Sequence, residues 1–459
     1  MSSFVLTLKL KTNKKIEKEL LKKSDCARQL YNASLNEAIK RLNAIKNTRK
    51  YRDAILLSKT GKSKAERSRI FKELNEEYGF RKYDLESFTT KCKNDSKFIN
   101  KHLGTHVCQK ISNRAFEAAQ KVAFKKAKKV RFKPFGEFVS LEGKNNETFL
   151  KYSNGYLIIG EDVIKCIINP KDELVKYSLS KRIKFCRLIC KKIKGKNVFY
   201  VQLVLDGTPY QKYQKGTEIT GLDIGPSTIA IVNSKKAELK LFCSELDSIN
   251  KTKKILQRKL DRSRRLNNPN NYNENKTIKK GRLKWHKSKS YIRTRDKLAE
   301  TERKLKDKRY MLHNILANEI LKVSNVVKTE DLEYKKLQQR FGRSTSFRSP
   351  ATFISILKRK IEASGGTFIE VNTYKTKLSQ TCQCSILKKK SLSERWHKCS
   401  NCKILVQRDI YSAYLVRYVS DDKLDFKSAS DDFKSYEKLF KNCIKDLKTS
   451  NAKVKSFGI

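Results

Sequence analysis

The apolar positions change period several times along the 459 residues, and the changes divide the chain. The opening FVLTLKL of residues 4–10 alternates apolar and polar residues, which predicts a strand. Apolar residues then recur at Ile16, Leu20, Ala27, Leu30, Leu35, Ala38, Leu42 and Ile45, which predicts one long amphipathic helix. Residues 60–106 read as very polar, partly helical and broken by loops. A second helix carries Val107, Ile111, Ala115, Ala118 and Val122 on one face and runs into the basic stem KKAKKVRFK. From about residue 131 the period falls to two. FVSLEG, Tyr156–Ile159, RIKFCRLICKKI and VFYVQLVL read as strands, with Asn154-Gly155 and Gly195-Lys196-Asn197 at the hairpin turns. The N-terminal strand is expected to join this sheet, with the helices of 14–130 as an insertion.

A new unit opens near residue 217 with GLDIGPSTIAIVNS, two short apolar strands around a Gly-Pro-Ser turn. A long basic helical hairpin follows, one arm starting near Ser248 and the other carrying Leu298, Leu305, Leu312, Ile315 and Leu316. Next come a strand (NVVKTEDL), a basic linker, a helix (TFISILKRKIEASGG), a strand (TFIEVN), a cysteine-bearing insert and a helix from about Asp409. Residues 421–459 read as a Ser/Asp/Lys-rich polar tail with a weak helix, and no internal repeat is visible.

Charge changes the picture most. Lys and Arg number 105 against 47 Asp and Glu, a formal net charge of +58. A compact chain so charged repels itself unless a polyanion neutralises it, so nucleic acid is the expected partner. On charge alone a basic ribosomal or chromatin protein is the plain alternative. No apolar run approaches the roughly 18 residues of a membrane span, and MSSFVLTLKLK lacks the apolar core of a signal peptide. A cytoplasmic or nuclear location is expected, with reduced cysteines and no membrane partner.

Four of the twelve cysteines then stand out: Cys382, Cys384, Cys399 and Cys402, spaced C-x-C-x14-C-x-x-C in a hydrophilic window. Two thiolate pairs across a polar loop suit a structural tetrahedral zinc ion. His397 is an alternative ligand to one thiolate. His102, His106 and Cys108 mimic a metal site, but no fourth ligand is evident and a helix-surface placement is expected. The phenylalanines among the lysines of 124–135 are read as anchors of a strand rather than as a platform for bases.

Three acids complete the candidate chemistry. Asp223 interrupts an apolar strand, Glu330 ends another, and Asp409 opens a helix with an apolar face. Each alone has an ordinary explanation: a strand edge, a turn, a helix N-cap. In the order strand-acid, strand-acid, acid-helix they would meet at the end of a mixed sheet. Such a cluster holds two divalent ions roughly 3.5–4 Å apart, and its hard oxygen ligands favour Mg²⁺ or Mn²⁺.

At these residues the chain resembles the TnpB family, the transposon-encoded nucleases related to type V CRISPR effectors. The matching stretches are GLDIGPST, VVKTEDLEY, KLSQTCQC with KCSNC, and QRDIYSAYL, with FVSLEGKNN and the NNPNNYNEN…KKGRLKW hairpin tip in support. The resemblance is good over about 130–418 and weaker before it. It implies a multidomain α/β protein: an RNase H-like RuvC nuclease domain with a zinc-binding insert, preceded by a wedge-like β-barrel carrying an inserted helical recognition lobe. Expected boundaries are 1–12 and 131–212 for the barrel, 13–130 for the lobe, 213–378 for the nuclease domain with its helical hairpin at 248–322, 379–405 for the insert, 406–420 for the final nuclease helix and 421–459 for the tail.

The implied activity is RNA-guided, Mg²⁺-dependent cutting of double-stranded DNA beside a short flanking motif. Guide RNA and target DNA are the partners, in a bacterial or archaeal cytosol, and Asp223, Glu330 and Asp409 are the catalytic carboxylates. Arg408 matches a basic residue that the family often places before the last acid. Two departures stand out: C-x-C where many relatives have C-x-x-C, and Tyr411 where an Asn is usual. A guided DNA-binding repressor that does not cut, a type V CRISPR effector with the same chemistry, and a strand-transfer transposase are the alternatives.

Overall fold

The structure is a computed structural model that describes residues 3–61, 63–391, 393–449 and 457–458. It forms two compact units, Met1–Tyr210 and Gln211–Ile459. The first contains β1 (Ser3–Leu10), then helices α1 (Lys14–Asn47), α2 (Arg49–Leu56), α3 (Ser63–Glu77), α4 (Lys82–Asp95), α5 (Lys97–His102) and α6 (Thr105–Ala123). Strands β2 (Leu141–Glu142), β3 (Leu150–Ser153), β4 (Tyr156–Ile159) and β5 (Asp162–Ile167), helix α7 (Glu173–Leu179) and strands β6 (Ile183–Ile193) and β7 (Lys196–Asp206) follow. The sheet order is β2-β6-β7-β1-β5-β4-β3, so the N-terminal strand lies between strands more than 150 residues downstream, antiparallel to both. β3 lies against β6, and the sheet nearly closes into a barrel.

The alternation that predicted β1 sorts its faces: Leu6, Leu8 and Leu10 are buried in the core that also takes the apolar stripe of α1, while Val5 is exposed. Asn154 and Gly155 both have positive φ, as a two-residue hairpin turn of this hand requires. Lys194 and Gly195 do the same between β6 and β7, so that turn falls one residue before its expected place.

Three further expectations in this unit change. Helix α6 stops at Ala123, because Lys125 turns left-handed and the N–H groups of Lys126 and Ala127 both return to the Lys121 carbonyl, closing the helix end. The segment 124–135 is not a strand, and its phenylalanines are not its anchors. Val130 and Phe138 pack on the core and the Lys133 backbone exchanges two hydrogen bonds with Asn32, whereas Phe124, Phe132 and Phe135 stand 64%, 49% and 85% exposed. His102 is buried rather than on a helix surface, its Nδ1 2.8 Å from the Phe98 carbonyl, while His106 faces Thr148.

The second unit holds β8 (Glu218–Ile224), β9 (Thr228–Val232), β10 (Ala237–Leu241), α8 (Asp247–Leu266), α9 (Lys289–Val323), β11 (Ser324–Glu330), α10 (Tyr334–Arg348), α11 (Pro350–Ala363), β12 (Thr367–Val371) and α12 (Thr373–Thr376). After the cysteine region come β13 (Trp396–Lys398), β14 (Leu405–Gln407), α13 (Arg408–Leu415), β15 (Val419–Ser420), β16 (Lys423–Leu424), α14 (Phe426–Asp431) and α15 (Phe433–Thr449). Its five-stranded sheet has the order β10-β9-β8-β11-β12; β8 is antiparallel to β9 and parallel to β11, which is parallel to β12.

Helices cover both faces of that sheet, and strand parity decides which residue meets which layer. Ile229 and Ile231 of β9, with Leu222 and Ile224 of β8, pack on α9 and α11. Ala230 and Val232 face the other way, onto α13 and α15. The stretch 421–459 is therefore not simply a polar tail: Phe433, Tyr436, Phe440 and Cys443 recur at helical spacing and are buried against Tyr411 and Tyr414. Among the described residues no helix is long and apolar enough to cross a membrane.

Candidate active site and cysteine cluster

Parity and register bring the three acids to one place. In β8, Gly221 faces α13, since a Cβ there would lie 2.0 Å from the Ala413 carbonyl oxygen; Asp223, two residues on, shares that face. In β11, Val327 packs on the opposite layer, so Lys328 and Glu330 point towards α13, and Lys328 Nζ donates to the carbonyls of Arg417 and Val419. Thr329 pairs with Leu222 across the parallel strands. The next residue on each is Glu330 and Asp223, side by side at the strand ends. Asp409 lies in the first turn of α13, where a carboxylate meets the positive end of the helix dipole, and is buried.

The electrostatics agree with this placement. Burial, and then the carboxylates of Asp409 and Glu330, hold Asp223 well above the usual carboxylate range, while Arg408 and Arg395 act in the opposite sense. Burial pushes Glu330 to about 7, with the Leu378 N–H opposing it. Glu330 Oε1 is buried with no hydrogen-bond partner. A buried carboxylate oxygen without a donor is unusual in a folded protein.

Arg408 Nε lies 3.4 Å from Asp409 Oδ1, and its Nη1 donates to the carbonyls of Ser391 and Glu394. The guanidinium is thereby fixed between the acid and the insert. The motif search missed Arg395, whose Nη1 lies 3.8 Å from Asp409 Oδ2. It reaches the acid from the residue before β13, and no local signal separates it from the other basic residues.

The four cysteines converge as their spacing predicts. Their sulfurs all lie within 4.8 Å of one another, with Cys382–Cys402 at 3.3 Å and Cys384–Cys399 at 3.6 Å. Tetrahedral zinc with Zn–S bonds of ~2.3 Å needs sulfurs about 3.8 Å apart, so the set fits that ion. Burial opposes it, but the N–H groups of Cys402 and Asn401 bring the Cys399 thiol down to about 7, which favours the ligating thiolate. Burial pushes Cys382 and Cys402 up.

His397 does not join the cluster. Its Nδ1 meets Lys390 Nζ, and its ring lies 4.6 Å from that of Tyr411. Among the described residues the cysteines are the one group of His, Cys, Asp or Glu gathered this tightly. Tyr411, the departure from the usual Asn, links cluster to helix: its hydroxyl accepts the Gln383 N–H at 2.9 Å and lies 3.6 Å from Cys382 Sγ.

A family model described as Cas12f1-like, TNB domain matches residues 351–416. Over those residues the chain is similar to a Cas12f1-like TNB domain. The match takes in all four cysteines, Arg395, Arg408 and Asp409, and it bears out the kinship with TnpB and the type V effectors read from the motifs. Asp223 and Glu330 lie before it. Among solved structures, one titled as a Cas12f1–sgRNA–target DNA complex is similar at 13% identity and a TM-score of 0.47, covering 92% of this chain and 99% of that one. Another, titled as a CRISPR-Cas12f ternary complex, is similar at 15% identity and a TM-score of 0.31, covering 90% and 83%. No curated protein matches the chain.

Proposed function

We propose that this protein is an RNA-guided DNA endonuclease that cuts double-stranded DNA beside a short flanking motif at a single RuvC-like site. The observation that carries the reading is the meeting of Asp223, Glu330 and Asp409 on one face of a mixed sheet, with an orphaned Glu330 oxygen among them. A mixed five-stranded sheet with this strand order, helices on both faces and acids at the strand ends suits an RNase H-like domain.

Three carboxylates against two arginines, both paired with Asp409, leave an excess of negative charge that fits divalent cations, and hard oxygen donors favour Mg²⁺. Two such ions, when bound, supply an activated water and neutralise the leaving oxygen of the phosphodiester. The chain's own part is positional. Adjacent strands fix Asp223 and Glu330 relative to each other, α13 brings Asp409 over them, and Arg408 holds Asp409 in orientation from the insert. Cys382, Cys384, Cys399 and Cys402 would hold structural zinc, and the Tyr411 hydroxyl beside Cys382 ties the insert to α13. Guide RNA selects the sequence by base pairing, and the first unit reads the flanking motif by groove contacts.

Protein purified with its co-purifying RNA, supplied with Mg²⁺ and matched target, is expected to cut. Asp223→Ala is expected to bind RNA and target normally without cutting. Guided cleavage by Asp223→Ala would refute the three-carboxylate site; random cellular RNA in place of a discrete species would refute guiding.

A further inference from the structure

The exposed phenylalanines of the first unit have a setting of their own. Along α1, Lys14, Glu17, Lys18, Leu21, Lys22 and Asp25 form one stripe at helical spacing, the floor of an open groove of about 440 Å³. That volume falls within the ~300–1,000 Å³ usual for ligand sites. Phe98 of α5 and Phe135 from the segment after α6 form its walls, 54% and 85% exposed. Leu21 lies exposed on the floor.

The two acids of the stripe are engaged. Asp25 bonds Arg28 at 2.7 Å and Gln29 at 2.9 Å, and Glu17 accepts from Thr12 at 3.0 Å. Lys14 and Lys18 are exposed, and the Arg28 guanidinium lies 5.6 Å from the Phe135 ring centroid. The segment leading to Phe135 exposes Lys125, Lys126, Lys128, Lys129 and Arg131. Its backbone is pinned to α1 through Asn32, so the ring at its end is held out on a fixed support.

We infer that this groove stacks unpaired RNA bases on Phe98 and Phe135 while Lys14 and Lys18 take the adjoining phosphates. Apolar rings presented to water beside cations match a ligand with flat apolar faces on a polyanionic backbone. A duplex offers no free base faces, whereas a folded RNA carries unpaired nucleotides at loops and ends, and proteins read RNA by stacking such bases on aromatic rings. The RNA is the guide of the proposed function, and the inference rests on that reading for its identity.

Full-length protein freed of nucleic acid at high salt is titrated with a fluorescein-labelled oligouridylate, its DNA counterpart and an RNA duplex. Phe98→Ala and Phe135→Ala are each expected to weaken oligouridylate binding roughly 5- to 150-fold, the range for loss of one base–aromatic stack. They are expected to leave the salt dependence unchanged, since no phosphate contact is lost. Lys18→Ala should lower that dependence, and Phe135→Trp should restore binding. Phe135 is too exposed for its replacement to unfold the protein. Unchanged affinity in the Phe98→Ala/Phe135→Ala double variant overturns the inference, and a loss confined to the DNA probe overturns the assignment to RNA. Guided cleavage with unaltered RNA binding in that double variant removes the groove and leaves the proposed function intact. Lost RNA stacking in a protein that never cuts does the reverse.

Discussion

Glu330→Gln should make the Mg²⁺-free protein more stable at neutral and alkaline pH, with the gain gone by about pH 5. The folded protein raises the carboxyl from the usual 4.5 to about 7, chiefly by burial. A raised acid binds its proton more tightly folded than unfolded. Its contribution is therefore fully present below about pH 4.5 and is lost as pH rises through about 7. At ~1.4 kcal/mol for each pH unit between those values, the ionised side chain costs about 3 kcal/mol at pH 8 and under about 1 kcal/mol at pH 5. An amide keeps an acceptor for the Leu378 N–H but places an NH₂ where Oε1 has no partner, which returns about 1 kcal/mol. The net gain at pH 8 is about 2 kcal/mol, or roughly 4–8 °C in the melting of a unit of this size. Thermal melts of zinc-loaded protein without Mg²⁺, at pH 8 and pH 5, read the difference directly. Equal melting temperatures at pH 8, or a gain of the same size at both pH values, would refute the burial of an ionisable Glu330 side chain in the folded protein.

Two further substitutions test how the third acid is held. Gly221→Ala puts a methyl 2.0 Å from the Ala413 carbonyl oxygen, and since backbone cannot yield like a side chain, a loss of at least ~3 kcal/mol is expected in thermal melts; a near-native melt would show that α13 does not lie so close to β8. Tyr411→Phe keeps the buried ring but strips the Gln383 N–H of its acceptor. A loss of about 1–3 kcal/mol and faster zinc release to a chelator are expected, and unchanged release would separate the hydroxyl from the cysteine cluster.

What the sequence disclosed depended on whether the signal was local. Asp223 and Glu330 were legible because a carboxylate inside an apolar strand violates the pattern around it, and the cysteines because four thiols in a hydrophilic window have no core to enter. The adjacency of β8 and β11 was inferred from order, but the step that sets Asp223 beside Glu330 is a register, which no local pattern encodes. Arg395 was invisible for that reason: its partner Asp409 is fourteen residues away across a small hairpin. Helix α15 was undervalued because its buried residues are aromatic and sulfur-bearing among lysines, so mean polarity hid the helical spacing of Phe433, Tyr436, Phe440 and Cys443. The exposed phenylalanines were misread by the opposite error, since apolar residues in a period-two stretch were assumed to face a core.

Asp409 is the acid whose position depends most on the rest of the unit. Asp223 and Glu330 sit on strands paired on both sides, so backbone hydrogen bonds fix them. Asp409 sits on an eight-residue helix, shorter than the ~12–15 residues at which isolated helices become even marginal, so tertiary contacts must hold it. Those contacts come from three directions: the glycine of β8 that lets the helix lie against the sheet, the aromatic cluster of α15, and the insert through Tyr411 and Arg408. Removing any one leaves two strand acids in place and the third free to move. The cysteine cluster and the C-terminal helix thus act on the site through the placement of one carboxylate, and their loss should lower activity while leaving the pairing of β8 with β11 intact.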